Sequence, residues 1–200
     1  MRIEPEEIRK KDLHDFYSSL IIPRPIAWVT TIDEEGRYNA APFSAFIRVT
    51  TVPPILVVSI ARRGGKKKDT VLNIEATGDF VVNMVDEKLG DAMNLTGANY
   101  PHGVDEIKEA GLTAVKSDKV KSPRIAESPI SMECKLVQIL ELGDHPHRNS
   151  IIFGEILVMH IKDEIMSGGK VDQVKAKIIG RLGNGGIYCR TTDSYNMKRV

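Results

Sequence analysis

Apolar positions along the chain fall in short runs rich in β-branched residues, and Gly, Pro, Asp and Asn cut one run from the next. Segments 26–32, 55–60, 80–85, 130–140 and 150–161 have this character, which predicts strands, because branched side chains suit a pleated, half-buried surface. Asp33, Glu34, Glu35 and Gly36 separate 26–32 from 38–41, and the glycine can take the positive φ of a tight turn, so these two segments are expected to pair as a hairpin. Val71, Leu72, Ile74 and Ala76 follow Asp69 and precede Gly78, a spacing that predicts a helix of about two turns with Asp69 as N-cap and Gly78 as terminator. Shorter helices are expected over 87–95 and 105–110, joined by the polar segment 96–104. Because strands do not alternate with long helices, the pattern speaks against a doubly wound parallel sheet. It predicts a mainly β fold, an antiparallel barrel with inserted helices. No repeat, low-complexity tract or linker interrupts the pattern, so one domain over 1–200 is expected, with its core at about 21–190.

Composition narrows the function. With 42% hydrophobic and 28% charged residues in 200, disorder is excluded as the main state. The 28 Lys and Arg against 27 Asp and Glu leave a net charge of +1. No global field then exists to hold nucleic acid or an anionic membrane, and any anion site must be local. The apolar runs fall well short of the roughly 18 residues of a membrane helix, and the acidic N-terminus lacks a signal-peptide pattern, so a cytoplasmic protein is expected. Cys134 and Cys189 form no C-x-x-C pair, which indicates neither a disulfide framework nor a structural zinc site.

Four segments could carry chemistry. The first, Ala61-Arg62-Arg63-Gly64-Gly65-Lys66-Lys67-Lys68-Asp69-Thr70, sets five cations and two glycines directly before a helix start. Glycines let amides approach a phosphate, the helix start offers free N–H groups, and the cations neutralise the rest; a solvated basic loop is the plainer alternative. The second, Asn39-Ala40-Ala41-Pro42-Phe43-Ser44-Ala45-Phe46, interrupts the strand pattern with proline and leaves backbone groups open to a flat heterocycle, or is simply a strand-to-loop transition. The third, Gly143-Asp144-His145-Pro146-His147, carries two of the five histidines on a turn suited to proton transfer, amide contact or plain exposure, with no third ligand apparent for a metal. The fourth, Gly180 to Tyr188, is glycine-dense, but no helical pattern follows, so a tight hairpin is preferred to a dinucleotide loop.

In order and spacing, Arg24-Pro25-Ile26-Ala27-Trp28-Val29-Thr30-Thr31, Asn39 to Phe46, Pro53-Pro54-Ile55, Lys68-Asp69-Thr70, Asn73-Ile74 and Phe80-Val81-Val82-Asn83 closely resemble the flavin reductase-like, FMN-binding split-barrel family. Gly143-Asp144-His145, Phe153-Gly154-Glu155 and Arg181-Leu182-Gly183 extend the likeness to about Tyr188, with the flavoredoxin and archaeal flavoprotein branch the most similar. The resemblance implies a homodimer of split barrels with FMN bound noncovalently at the interface. It assigns Thr30 and Thr31 to the ribityl-phosphate arm and Arg63, Lys68, Asp69 and Thr70 to the phosphate end. Asn39, Ala41, Pro42, Phe43, Ser44, Ala45 and Phe46 would line the flavin ring, Ser59 would lie where the following strand passes it, and His145 would sit near its face as the catalytic contact. The implied activity is an NAD(P)H-dependent flavin oxidoreductase that passes electrons through FMN to free flavin, a ferric complex or a protein acceptor. A flavoredoxin-like electron carrier that does not turn over pyridine nucleotide is the alternative.

Overall fold

The hairpin expected around Gly36 forms, with Asp33 Oδ1 accepting from the amides of Glu35 (2.9 Å) and Arg37 (2.8 Å) and Gly36 at φ 84°. The computed structural model describes residues 1–198; of the domain expected over 1–200, residues 199 and 200 lie outside the described part. Helix α1 (Lys10–Leu20) leads into β1 (Ala27–Ile32), β2 (Tyr38–Phe43), β3 (Phe46–Thr51) and β4 (Pro54–Ala61). Helix α2 (Asp69–Thr77) and β5 (Asp79–Asn83) follow, then a 3-10 turn (Glu87–Leu89), α3 (Gly90–Thr96) and α4 (Glu106–Glu109). Two short strands, β6 (Ala114–Val115) and β7 (Arg124–Ile125), precede the long β8 (Ile130–Leu142) and β9 (Asn149–Ile161). The chain closes with β10 (Met166–Ser167), β11 (Lys170–Val171), α5 (Gln173–Ala176), β12 (Ile179–Leu182) and β13 (Ile187–Arg190). The last two strands pair across the glycine-dense segment, as the hairpin reading expects.

Seven strands form one sheet in the order β2-β1-β5-β8-β9-β4-β3, every neighbour antiparallel. The edge strands β2 and β3 are separated in sequence only by Ser44 and Ala45. Three Cα steps reach roughly 11 Å at most, so the two edges must come together and the sheet must roll into a barrel. The Ser59 amide donates to the Ala45 carbonyl at 2.8 Å, which extends the β3–β4 ladder into that link.

Strand alternation sorts the core. Ala27 and Val29 of β1 join Phe43, Leu56, Phe80, Ile152 and other inward residues, with Val71 and Ile74 of α2 packed against them. Ile26 and Trp28 face the opposite way, into a second cluster with Val85, Leu89, Met93, Ile125 and Ile179. Trp28 is satisfied there by donating Nε1–H to Thr96 Oγ1 at 2.9 Å. At Gly154 a Cβ would lie 2.4 Å from the Phe80 ring, so β9 needs glycine where that ring crosses it. Outside, Ile47, Val49, Val137, Leu140, Leu157 and Met159 of β3, β8 and β9 stand exposed.

Two expectations are corrected. Pro42 does not break its strand: β2 runs through it, opposite Trp28, because β2 is an edge and the missing N–H deprives no second neighbour. Asp69 is not the N-cap of α2. Lys68 holds that position without a side-chain bond, and the Asp69 carboxylate turns to His102, 3.1 Å away. The far end is as expected, with Gly78 at φ 75° donating its amide to the Ile74 carbonyl.

Candidate functional site

Between β4 and α2 the chain makes a tight turn at Gly64 (φ 56°) and Gly65 (φ 77°), closed by reciprocal backbone bonds between Arg63 and Lys66 of 2.9 and 3.1 Å. This turn distributes the five cations differently. Arg62 pairs with Glu141 at 3.1 Å, and Lys67 is held by Glu75 and Glu141. Arg63 is exposed and its guanidinium donates to Asn99 Oδ1. Lys68 is different: it is partly buried, its Nζ lies 5.2 Å from the centroid of the Phe43 ring, and no carboxylate pairs with it among the described residues. Burial, and then the charge of Arg63, pushes the Lys68 ammonium below the usual lysine range. A partly desolvated cation without a carboxylate partner among the described residues, beside the free amides of a helix start, has the chemistry that suits an anion.

Lys68 opens on a cleft of about 220 Å³. Asn39, Ala41, Pro42, Arg63, Asp69 and Thr70 line it as well, so seven of the residues singled out from sequence meet in one place. A second hollow of about 570 Å³ shares Lys67, Asp69 and His102 with it and adds Arg62, Gly65, Lys66 and Leu72. Together they reach the size of small-molecule sites.

The polar wall of the cleft is a connected network. Asn39 Nδ2 donates to both oxygens of the buried Glu106 (3.0 and 2.9 Å), and the Ala40 amide donates to Glu106 Oε2 (3.0 Å). Thr70 Oγ1 donates to Asn39 Oδ1 at 2.9 Å, and Thr31 Oγ1 reaches the same atom at 3.3 Å while accepting from Asn73 Nδ2 at 3.0 Å. Burial raises Glu106 above the ordinary carboxylate range, with the Ala40 amide and Asn39 opposing and Asp69 adding to the rise.

The other expected residues lie elsewhere. Thr30 and Thr31 are fully buried and do not line the cleft; Thr30 donates to the Pro123 carbonyl, on the side away from Thr31. Phe43 faces the barrel core beneath Lys68. Ser44 and Ala45 form the link at the seam, Ser44 Oγ accepting from Arg24 Nε at 3.3 Å, and Phe46 opens β3 beside them. Ser59 Oγ accepts from Asn149 Nδ2 at 3.0 Å. His145, on the β8–β9 turn, lies against Gly65: its Nε2 is 3.1 Å from where a Cβ there would stand. Sequence reasoning passes over Glu106, Tyr100, His102 and Asn99, all on the cleft wall. They come from 97–106, which the His102–Asp69 pair and the Asn99–Arg63 bond hold against the basic loop.

A rolled antiparallel sheet with inserted helices and a basic helix start at one rim defines a class, the small split barrels. Within that class the assignment is specific. The chain belongs to the flavin reductase-like domain family, whose family model matches residues 18–173. An uncharacterised protein of Aquifex aeolicus is 40% identical over 188 residues, covering 93% of each chain. Nitrilotriacetate monooxygenase component B of Bacillus cereus superposes with a TM-score of 0.94 at 34% identity, covering 98% of both chains. The 2-nitrobenzoate 2-nitroreductase NbaA of Pseudomonas fluorescens gives 0.90, also at 34% identity, over 100% of this chain and 96% of that one. The protein is therefore flavin-related and of oxidoreductase type.

Proposed function

We propose that the protein binds FMN noncovalently and uses it as an NAD(P)H-dependent oxidoreductase, delivering electrons to free flavin, a ferric complex or a protein acceptor. The carrying observation is Lys68, a partly buried ammonium at the start of α2 with no carboxylate partner among the described residues. Its setting fits a phosphate: Arg63 adds charge, the first amides of α2 lack helical partners, and Thr70 stands one residue into the helix. Asn39, Ala41 and Pro42 continue the cleft toward the barrel seam, the direction a ring system attached to that phosphate would take. FMN, when bound, supplies the two-electron chemistry that no side chain here provides. The chain's own residues neutralise the phosphate, orient it and set the polarity around it. His145, beside Gly65, is the proton-bearing group we assign to the donor or acceptor that approaches the site.

The exposed apolar residues of β3, β8 and β9 support a homodimer, since a patch of this kind on a monomer marks an interaction surface. The second hollow supports the flavoredoxin-like alternative, because Arg62, Lys66 and Lys67 outnumber Asp69 on its wall, as suits an acidic protein partner. One experiment separates the readings. The purified, desalted protein should show oxidised-flavin absorbance that bleaches on anaerobic addition of NADH or NADPH. Bleaching only with dithionite would make it a carrier, and no absorbance even after FMN is supplied would remove both readings.

A further inference from the structure

We infer that Glu106, Asn39 and Thr70 form a proton-controlled relay that decides whether the Thr70 hydroxyl can donate to a phosphate at the start of α2, so that phosphate capture draws a proton onto Glu106. The inference rests on the FMN reading above and names a regulation of that site.

Glu106 is the first residue of α4, and its carboxylate is shut in against β2. Both its oxygens accept from Asn39 Nδ2, and Oε2 also accepts from the Ala40 amide. An ionised carboxylate has no proton to give, so only the NH2 end of Asn39 can face it. The carboxamide oxygen is thereby turned to the hydroxyls of Thr70 (2.9 Å) and Thr31 (3.3 Å). The one hydroxyl proton of Thr70 is committed to Asn39, which leaves only lone pairs for an arriving anion.

Protonation of Glu106 from solvent reverses each step. The acid can donate to Asn39 Oδ1 once the carboxamide turns over, the NH2 end then faces the two threonine hydroxyls, and the Thr70 proton is released toward the phosphate. The Ala40 amide keeps its acceptor in both states. Of the charged groups around Glu106, Asp69 favours the uptake, whereas the cations that share the cleft hold the carboxylate ionised until an anion neutralises them. Asp69 of α2, Tyr100 and His102 of the 97–106 segment, and Arg63, Lys67 and Lys68 of the loop share its cleft, and Arg37 lies 3.5 Å from His102. Burial, and the charge of Asp69, already hold Glu106 above the usual carboxylate range, although Ala40 and Asn39 pull the other way. A phosphate dianion adds negative charge to the same cleft and pushes in the same direction.

Calorimetric titration of the full chain, freed of flavin, with FMN in two buffers of different ionisation enthalpy counts the protons taken up. Across a pH series carried into the alkaline range the wild type should take up a proton that Glu106→Gln does not, because the glutamine offers Asn39 an N–H at every pH. Relative to that variant, wild-type FMN affinity should fall toward tenfold per pH unit on the alkaline side. The FMN phosphate and Lys68 share the cleft and feel the Glu106 charge, so Thr70→Val, which keeps that charge, is the control for their titration. Riboflavin, which lacks the phosphate, should show no difference between wild type and Glu106→Gln. Thr70→Val, which removes the hydroxyl and keeps Glu106, should take up less than the wild type, keeping only what the phosphate charge alone induces, and it carries the comparison if Glu106→Gln does not fold. Equal proton uptake in wild type and Glu106→Gln, or full uptake in Thr70→Val, overturns the relay while FMN still binds. Failure of FMN to bind the wild type overturns the flavin reading instead.

Discussion

An ammonium set among protein atoms loses hydration and recovers it only from an anion or a polar partner. Among the described residues Lys68 has no carboxylate partner, it lacks full solvent, and it lies over the Phe43 ring. Lys68→Ala should therefore weaken FMN binding by about 1.5 to 3 kcal/mol, roughly 10- to 150-fold, and leave riboflavin binding nearly unchanged. Flavin fluorescence titration checks both halves; equal losses for the two ligands would move the phosphate away from Lys68. This residue was legible in sequence because the charge, the glycines and the helix start are neighbours along the chain. Glu106 was not. It meets Asn39 across 67 residues, and an acidic residue after Asp105 at a helix start reads only as a complement to the helix dipole. Thr31 shows a subtler limit: its type and place suggest a ligand contact, yet it lies behind Asn39 and reaches the cleft only through it.

Strand β8 carries a different kind of polar residue. Glu133 is fully buried and accepts from the amides of Asp118 (2.8 Å) and Lys119 (2.7 Å), with His160 Nε2 at 2.6 Å and Arg124 at 3.9 Å. These contacts pin the 118–119 loop to the sheet. Burial pushes the Glu133 carboxyl up, but the two amides and His160 more than offset it and leave it below the ordinary range. A folded-state pKa lower than the unfolded one stabilises the protein fully above the unfolded value of about 4.3, and that stabilisation is lost as pH falls through the folded value. Glu133→Gln should lower stability by about 3 kcal/mol at neutral pH and flatten its decline below about pH 4.5. Thermal melts from neutral to acidic pH test this, and parallel curves for the two proteins would refute it. Element by element, legibility followed burial. α2 and its Gly78 terminator were readable because Val71 and Ile74 face a core. β3 and α1 were not, since Ile47 and Val49 in one and Phe16, Tyr17 and Leu20 in the other are exposed, and no buried face imposes a period.

For the molecule as a whole, the exposed apolar residues of β3, β8 and β9 make an oligomeric prediction. Light scattering should give about twice the 22.2 kDa chain mass, and Ile47→Glu, at a position 62% exposed, should shift the protein toward monomer without unfolding it. A monomeric wild type would contradict the homodimer. The barrel class was legible from strand runs and turn residues, but its closure was not, because closure depends on strand order rather than on strand positions.

That order has a temporal consequence. The first four strands end at Ala61, yet they supply only the two outer pairs of the sheet; the three central strands are β5, β8 and β9, the last ending at Ile161. A nascent chain leaving the ribosome therefore holds two hairpins, tethered by Ser44 and Ala45, whose inner edges wait for segments not yet synthesised. β1 gains its second neighbour with β5, but β4 gains its own only with β9, about a hundred residues after it has emerged. During that interval the exposed edge of β4 is open to pairing with other chains, and its protection falls to chaperones and to the speed of translation rather than to the native fold.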